Sequence, residues 1–237
     1  MQIHGSVVLV TGGNRGIGAE FVRQLKQRGA AKIYVAARNI DSVKVDGVEV
    51  IALDVTDDAQ VLAAAAQAGD VQVLINNAGA TFNQTLLDGD LDTIRREVET
   101  NFFGPLKLIR AFAPVLAANG GGAVLNVLSA VSWISFPGAT VYAASKAAAW
   151  SMTDGARIEL ATQGTQVTGL HMGLVDTDMT AGFELEKIAP AVVVTAALDG
   201  IEAGATEVLA DDTARQAKAS LAGDPMARYA DVLATLV

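Results

Sequence analysis

The stretch Val7-Val8-Leu9-Val10-Thr11-Gly12-Gly13-Asn14-Arg15-Gly16-Ile17-Gly18 decides the fold. Its first half is a short β-branched run, the pattern of a strand buried on both faces. Its second half is rich in glycine and opens into a segment where Ile17, Phe21 and Leu25 recur at helical spacing until Gly29 stops it. A strand, a glycine turn and a helix in direct succession aim free backbone N–H groups and the positive helix end at one point. Glycines let the chain turn tightly and let a ligand approach the backbone, so the predicted occupant is a diphosphate held by Gly12, Asn14, Arg15, Gly16, Ile17 and Gly18. A purely structural turn would use the same residue types, and it is the strand-turn-helix context that favours binding.

Outward from this stretch, short apolar runs alternate with longer helical ones. Buried strands are predicted at 6–11, 32–36, 48–53, 71–76, 123–128 and 166–172, with a weaker one at 207–210. Helices are predicted between them at 16–28, 57–67, 90–118, 142–162 and 190–202. Such alternation builds β-α-β units, so the expected fold class is α/β: a Rossmann-type doubly wound parallel β-sheet flanked by helices, in one domain over 1–237. Residues 39–47 are too few for a crossover helix and leave room for one helical turn. The run Asn119-Gly120-Gly121-Gly122 reads as a helix stop and turn rather than a domain boundary.

Composition narrows the chemistry. The chain has no cysteine, which excludes a disulfide scaffold, a thiolate zinc site and a cysteine nucleophile. Two histidines give a catalytic metal little to build on, and none is expected; His171, inside a buried strand, reads as structural. With 17 basic residues against 26 acidic ones, neither a nucleic acid nor an anionic membrane is an expected partner. Mean hydropathy is high at +0.35, but every apolar run is broken well before the roughly 18 residues that span a bilayer. Residues 1–10 have no cationic start and run into the glycine turn, unlike a signal peptide, so a cytoplasmic location is expected.

Two further sites carry chemistry. About 20 residues past Gly18, where a carboxylate would bind the adenosine ribose of NAD, the sequence reads Ala36-Ala37-Arg38. A guanidinium there, assisted by Arg15, offers paired donors to a 2′-phosphate, so NADP is the preferred cofactor and NAD the possible one. The plain alternative is that Arg38 is a solvated surface charge. In Tyr142-Ala143-Ala144-Ser145-Lys146, a phenol and an ammonium four residues apart share one helix face. A phenol near pKa 10 is a poor base at neutral pH, and a fixed cation beside it is expected to lower that value.

Taken in order, the turn 11–18, Asn76-Asn77-Ala78-Gly79 after the fourth strand, Ser129 after the fifth, and Tyr142 with Lys146 resemble the short-chain dehydrogenase/reductase family. The resemblance covers nearly the whole chain, including the 13-residue step from Ser129 to Tyr142. It implies that Ser129 hydrogen-bonds the substrate oxygen, that Tyr142 delivers or removes its proton, and that hydride passes between the nicotinamide and the carbinol carbon. Lys146 would hold the nicotinamide ribose as well as tune Tyr142, and Asn101 matches the helix asparagine of a proton relay. Cofactor contacts are implied for Asp54 and Val55 at the adenine, for Asn76, Ala78 and Gly79 in the crevice, and for Val175 and Thr177 at the carboxamide. Where the family has Pro-Gly this chain has Met172-Gly173, which predicts a less rigid backbone there. Ser132 is the rival of Ser129, Asn101 has a plain reading as a backbone-bonded helix asparagine, and 76–79 is partly structural in any reading.

Between Ser129 and Tyr142 lie Trp133 and Phe136, and beyond Thr177 lie Met179 and Phe183; all four are expected to line the substrate pocket. An apolar lining without a cluster of Arg or Lys favours a hydrophobic or aryl ketone, aldehyde or secondary alcohol over a sugar phosphate. Residues 211–218 read as a solvated helix, and the expected assembly is a homodimer through the helices carrying Asn101 and Tyr142, or a homotetramer. The competing reading is a non-catalytic NADP-binding regulatory or sensor protein, against which stand Ser129, Tyr142, Lys146 and Asn101 together. An epimerase or dehydratase of the extended branch needs a substrate domain for which the residues after Thr177 are too few, and enoyl reductases carry a wider Tyr-to-Lys spacing.

Overall fold

The computed structural model describes residues 1–234, so the last three positions of the 1–237 reading lie outside the described residues. Seven strands form one parallel sheet in the order β3-β2-β1-β4-β5-β6-β7. They are β1 (Val7–Thr11), β2 (Lys32–Ala37), β3 (Glu49–Ala52), β4 (Val73–Asn76), β5 (Ala123–Val127), β6 (Gln166–His171) and β7 (Glu207–Leu209). Every neighbouring pair is parallel, with Val8 beside Ile33 on one side and Val73 on the other. Parallel strands need crossovers, and the crossovers cover both faces, so the inner strands β1, β4 and β5 are apolar on both faces, whereas the edge strand β3 buries only Ile51.

Alternate side chains of the inner strands feed two separate cores. Val8 and Val10 pack with Phe21 and Leu25 of α1 (Gly16–Gln27) and with Val193, Val194 and Leu198 of α6 (Pro190–Glu202). Leu9 points the other way, toward Val61 of α2 (Asp58–Gln67) and Leu108, Phe112 and Leu116 of α4 (Gly104–Ala118). The chain reverses its direction of travel across the sheet between β1 and β4, which opens a crevice at their carboxyl ends.

The structure corrects several expected limits. The 90–118 helix is α3 (Leu91–Val98), a π-helical turn (Glu99–Phe103) and α4. Pro105 has no N–H to offer the Asn101 carbonyl in the α-helical pattern, and the backbone widens there. The 142–162 helix is α5 (Thr140–Glu159) followed by a short 3-10 turn. Most strands are one or two residues shorter than their apolar runs because flanking residues such as Leu128 and Met172 are buried without belonging to the ladder, whereas β2 runs one residue further, to Ala37. Residues 39–47 hold only a 3-10 turn (Ile40–Ser42). The 211–218 helix, α7 (Asp212–Ala219), is solvated on one side only: Ala214 and Ala217 pack under Ala130 and Trp133. Among the described residues no helix is long and apolar enough to cross a membrane.

His171 closes β6 in full burial. Its Nδ1 donates to the Ser129 carbonyl at 3.0 Å, its ring stacks on Trp133 at 3.8 Å and 13°, and Nε2 has no hydrogen-bond partner among the described residues. Burial, more than the nearby Lys218 and Lys146 charges, holds its pKa down at about 4, against 6.5 ordinarily; the Ser129 bond and Asp154 oppose the shift. The unfolded chain therefore takes up this proton first, so the contribution to stability is complete above pH 6.5 and is lost as pH falls toward 4. At about 1.4 kcal/mol per pH unit the loss reaches ~3 kcal/mol. Urea titrations should show the stability of wild type relative to His171→Asn falling between pH 6.5 and pH 5; a difference independent of pH would refute this.

Candidate active site

The crevice is closed at its base by two side chains. The Thr11 hydroxyl, at the end of β1, accepts the backbone N–H groups of Asn77 and Ala78, both at 3.0 Å, and donates to the Ile75 carbonyl. The Asn77 amide returns two hydrogen bonds to the carbonyls of Thr11 and Gly12, at 2.9 and 3.2 Å. Against this base runs the glycine turn. Gly12 has φ +65°, and a Cβ there would meet Ala78 at 3.2 Å; a Cβ on Gly18 would lie 2.1 Å from the Gly12 carbonyl. A Cβ on Gly16 would meet Thr177 at 3.3 Å, which brings the segment after β6 to the same place. Helix α1 starts without a side-chain cap, and its first N–H groups have no partner among the described residues. A bare helix end walled by glycines that tolerate no Cβ fits a diphosphate.

At one end of the crevice, Asn14 donates to the Ser42 hydroxyl at 3.1 Å, and Ser42 in turn donates to the Asn39 carbonyl. Arg38 is exposed beside them, with no hydrogen bond or ion pair among the described residues. Arg15 leans across the crevice to Asp178 at 3.4 Å, an exposed pair of little energetic weight. Asp54 binds the Thr56 N–H and hydroxyl, and buried Val55 packs against Gly104. Asn76 has its side chain in the sheet, donating to Asn126 at 2.8 Å, so within the Asn76–Gly79 run it is Asn77 whose side chain reaches the turn.

The other end gathers the catalytic candidates. Ser129 follows β5 with its hydroxyl accepting from the Val131 N–H at 3.3 Å and donating to the Met172 carbonyl at 3.4 Å, both long bonds. Its rival Ser132 is buried, and its hydroxyl has no partner. On α5, the Lys146 ammonium donates to the Val127 carbonyl at 2.8 Å and stands 5.7 Å from the centre of the Tyr142 ring. Asn101, at the middle of the π-helical turn, clasps Ala80 by both N–H and C=O, at 2.9 and 2.8 Å, and donates to Ser145 at 3.0 Å. A Cβ on Gly79 would meet Asn101 at 3.2 Å and the Lys146 ammonium at 3.7 Å, so the 76–79 run, Asn101 and Lys146 share one corner.

Electrostatics in this corner depart from the expectation that Lys146 lowers Tyr142. Burial pushes the Tyr142 phenol up, and the carboxylate of Glu97 adds to the shift. Burial also holds Lys146 down, at about 8. Its ammonium is engaged with a backbone carbonyl, and what the low-dielectric surroundings cost each charge outweighs their mutual effect. Glu97 is fully buried on α3, its carboxyl raised by burial, with one oxygen accepting from Phe82 N–H at 2.8 Å and the other unpaired. Glu97, Asn77 and Ser42 are functional residues that the sequence pattern does not single out. Only a carboxylate one helical turn before Asn101 signalled Glu97, whereas Asn77 stood inside the quoted Asn76–Gly79 run.

The apolar candidates divide. Phe136, Met179 and Phe183 are exposed on the loops after Ser129 and Thr177. Trp133 is not a lining residue: it is buried, stacked on His171 and set edge-on against Trp150. The backbone after β6 is also firmer than the missing proline suggests. Asp211 accepts from Gly173 N–H at 2.8 Å, Met172 accepts from Ala130 N–H, and Val175 is buried in a bridge with Ile188.

Comparison with known proteins places this geometry. A family model for the short chain dehydrogenase matches residues 6–187. An uncharacterized oxidoreductase of Staphylococcus aureus strain N315 is 31% identical over 206 residues, covering 81% of this chain and 89% of that one. A short chain dehydrogenase from Burkholderia cenocepacia, solved in complex with NADP, superposes with a TM-score of 0.94 at 40% identity, covering 98% and 99% of the two chains. A bulky-bulky ketone specific alcohol dehydrogenase from Comamonas testosteroni superposes at 0.76 with 26% identity, covering 86% and 85%.

Proposed function

The chain belongs to the short-chain dehydrogenase family of oxidoreductases, and from that premise we propose that it is an NADP(H)-dependent enzyme interconverting a hydrophobic or aryl carbonyl compound and its alcohol. The observation that carries the reading is the shared corner of Gly79, Asn101 and Lys146, with Tyr142 one helical turn from Lys146, opening on the glycine cradle of α1. Gly12, Asn14, Arg15, Gly16, Ile17 and Gly18 would hold the diphosphate. Arg38 would hold the 2′-phosphate, Asp54 and Val55 the adenine, Ala78, Gly79 and the Asn76 backbone the middle, and Val175 and Thr177 the carboxamide. NADPH when bound supplies hydride transfer.

The protein's own part is acid–base work and orientation. The Ser129 hydroxyl, loosely engaged by its two long bonds, donates to the substrate oxygen and polarises the carbonyl. Tyr142 donates its phenolic proton to the same oxygen as it becomes an alkoxide, and takes the proton back in oxidation. A phenol pushed up by burial stays protonated at neutral pH, which suits the reductive direction. Lys146 supports that exchange with an ammonium whose pKa of about 8 lies within reach of neutral pH. Asn101 keeps Ala80 in place beside them, and Phe136, Met179 and Phe183 give an apolar wall without a cation. NADP preference over NAD is supported by the unengaged Arg38 beside Asn39 and Ser42, and by the NADP that the Burkholderia relative holds.

A dimer through the helix faces near Asn101 and Tyr142 is supported by a groove of about 520 Å³ along α4 and α5, lined by Phe102, Leu106, Ile109, Met152 and Ala156.

With NADPH and a panel of aryl and alkyl ketones and aldehydes, Tyr142→Phe should lose roughly a hundredfold or more in kcat while NADPH still binds. Full activity in that variant would sink the assignment. Arg38→Asp should lower the ratio of kcat/KM for NADPH over NADH by about ten- to a hundredfold, and an unchanged ratio would remove Arg38 from the cofactor site. Light scattering after gel filtration should give twice the chain mass; a monomer at micromolar concentration would exclude the dimer.

A further inference from the structure

The residue that backs Ser129 does more than fill the core. We propose that His171 is a positioning residue for the reaction: its Nδ1–H, bonded to the Ser129 carbonyl, fixes the backbone from which the Ser129 hydroxyl is presented. This rests on the reading of Ser129 as the group that binds the substrate oxygen.

Three observations converge on it. First, the hydroxyl is poorly located by its own bonds, at 3.3 and 3.4 Å, so its place is set by the main chain that carries it. That main chain is anchored at the Ser129 carbonyl, which accepts from both His171 and Ser132 N–H. Second, the ring cannot swing away. It is fully buried, stacked on Trp133, and Trp133 is in turn held by Trp150 edge-on at 6.0 Å and by α7 underneath. A carbonyl oxygen only accepts, so Nδ1 carries the proton and the tautomer is set by this bond. Third, that tautomer leaves Nε2 as a buried acceptor without a partner, 4.0 Å from the nearest carboxylate, Glu207. Such an orphan costs stability that an aliphatic side chain in the same space would not. A residue kept for packing alone has no need of either nitrogen. The chain thereby links α7, through Trp133 and His171, to the serine at the reaction centre.

The test separates positioning from packing. His171→Phe keeps a ring on Trp133 and removes the donor; His171→Asn restores a donor near Nδ1. Each is made alone and with Ser129→Ala. Reduction of the aryl carbonyl that wild type turns over fastest is followed with NADPH, and the NADPH Kd is read by fluorescence titration. His171→Phe should lower kcat by about tenfold or more with the NADPH Kd within about twofold of wild type. His171→Asn should recover most of that loss. In the Ser129→Ala background, His171→Phe should cost less than about twofold, because the group it positions is gone. An equal loss in both backgrounds, wild-type kcat in His171→Phe, or no recovery in His171→Asn would each overturn the proposal. Wild-type kcat in Ser129→Ala would instead overturn the carbonyl-binding reading, and the proposal with it. Should His171→Phe fail to fold by circular dichroism, His171→Leu takes its place.

Discussion

Thr11 and Asn77 tie the carboxyl end of β1 to the carboxyl end of β4, and the site depends on that tie. Between these two strands, paired up to Val10 and Ile75, the chain changes its direction of winding across the sheet. One hydroxyl takes two N–H groups, and one amide gives two hydrogen bonds back, so the Gly12 turn and the 76–79 run are held as one surface. The bare end of α1 rests on it from one side, and Gly79 brings Asn101 and Lys146 to it from the other. The tight approaches around Gly12, Gly16 and Gly18 follow from this closeness. A methyl group at any of the three would push apart segments that the tie pulls together.

Around that surface the protein keeps polar groups that a stable core would avoid. Lys146 is buried with its pKa held down, Glu97 is buried with its carboxyl raised, and one oxygen of Glu97, Ser132 Oγ, Trp133 Nε1 and His171 Nε2 have no partner. Each is a cost in folding free energy, of the order of one to a few kcal/mol for an unpaired buried group. Most belong to the elements that carry the catalytic candidates: Glu97 lies one turn before Asn101, Ser132 and Trp133 follow Ser129, and Lys146 follows Tyr142. This is the distribution expected when polar chemistry is placed in a low-dielectric setting, where hydrogen bonds to a reacting group are strong and reorganise little. The π-helical turn belongs to the same pattern: Pro105 widens the helix at Asn101, so that residue can clasp Ala80 and still lie beside Lys146.

Much of this was legible in the sequence. The strand-turn-helix at 7–18, the alternating runs and the spacing of Ser129, Tyr142 and Lys146 pointed to the sheet and to the corner, because local periodicity and glycine placement carry that information directly. Other features were not legible. The helix at 90–118 looks continuous by apolar spacing, and only the missing N–H of Pro105 hinted at the break. Trp133 looked like a pocket residue because it follows the catalytic serine, yet its ring turns inward to His171. That Lys146 lowers Tyr142 is a pairwise argument from helical spacing that leaves out the desolvation of each group.

The sequence by itself determined the order of elements, the doubly wound class, the glycine turn and the residue types available for acid–base work, since these follow from runs and spacings of a few residues along one chain. Only the tertiary structure decided which side chains face the crevice, which are consumed in holding it, and what protonation each favours. Those properties depend on residues far apart in sequence, such as Thr11 with Asn77, Ser129 with His171, and Asp211 with Gly173. They also depend on the loss of water around a buried group, which no spacing along the chain records.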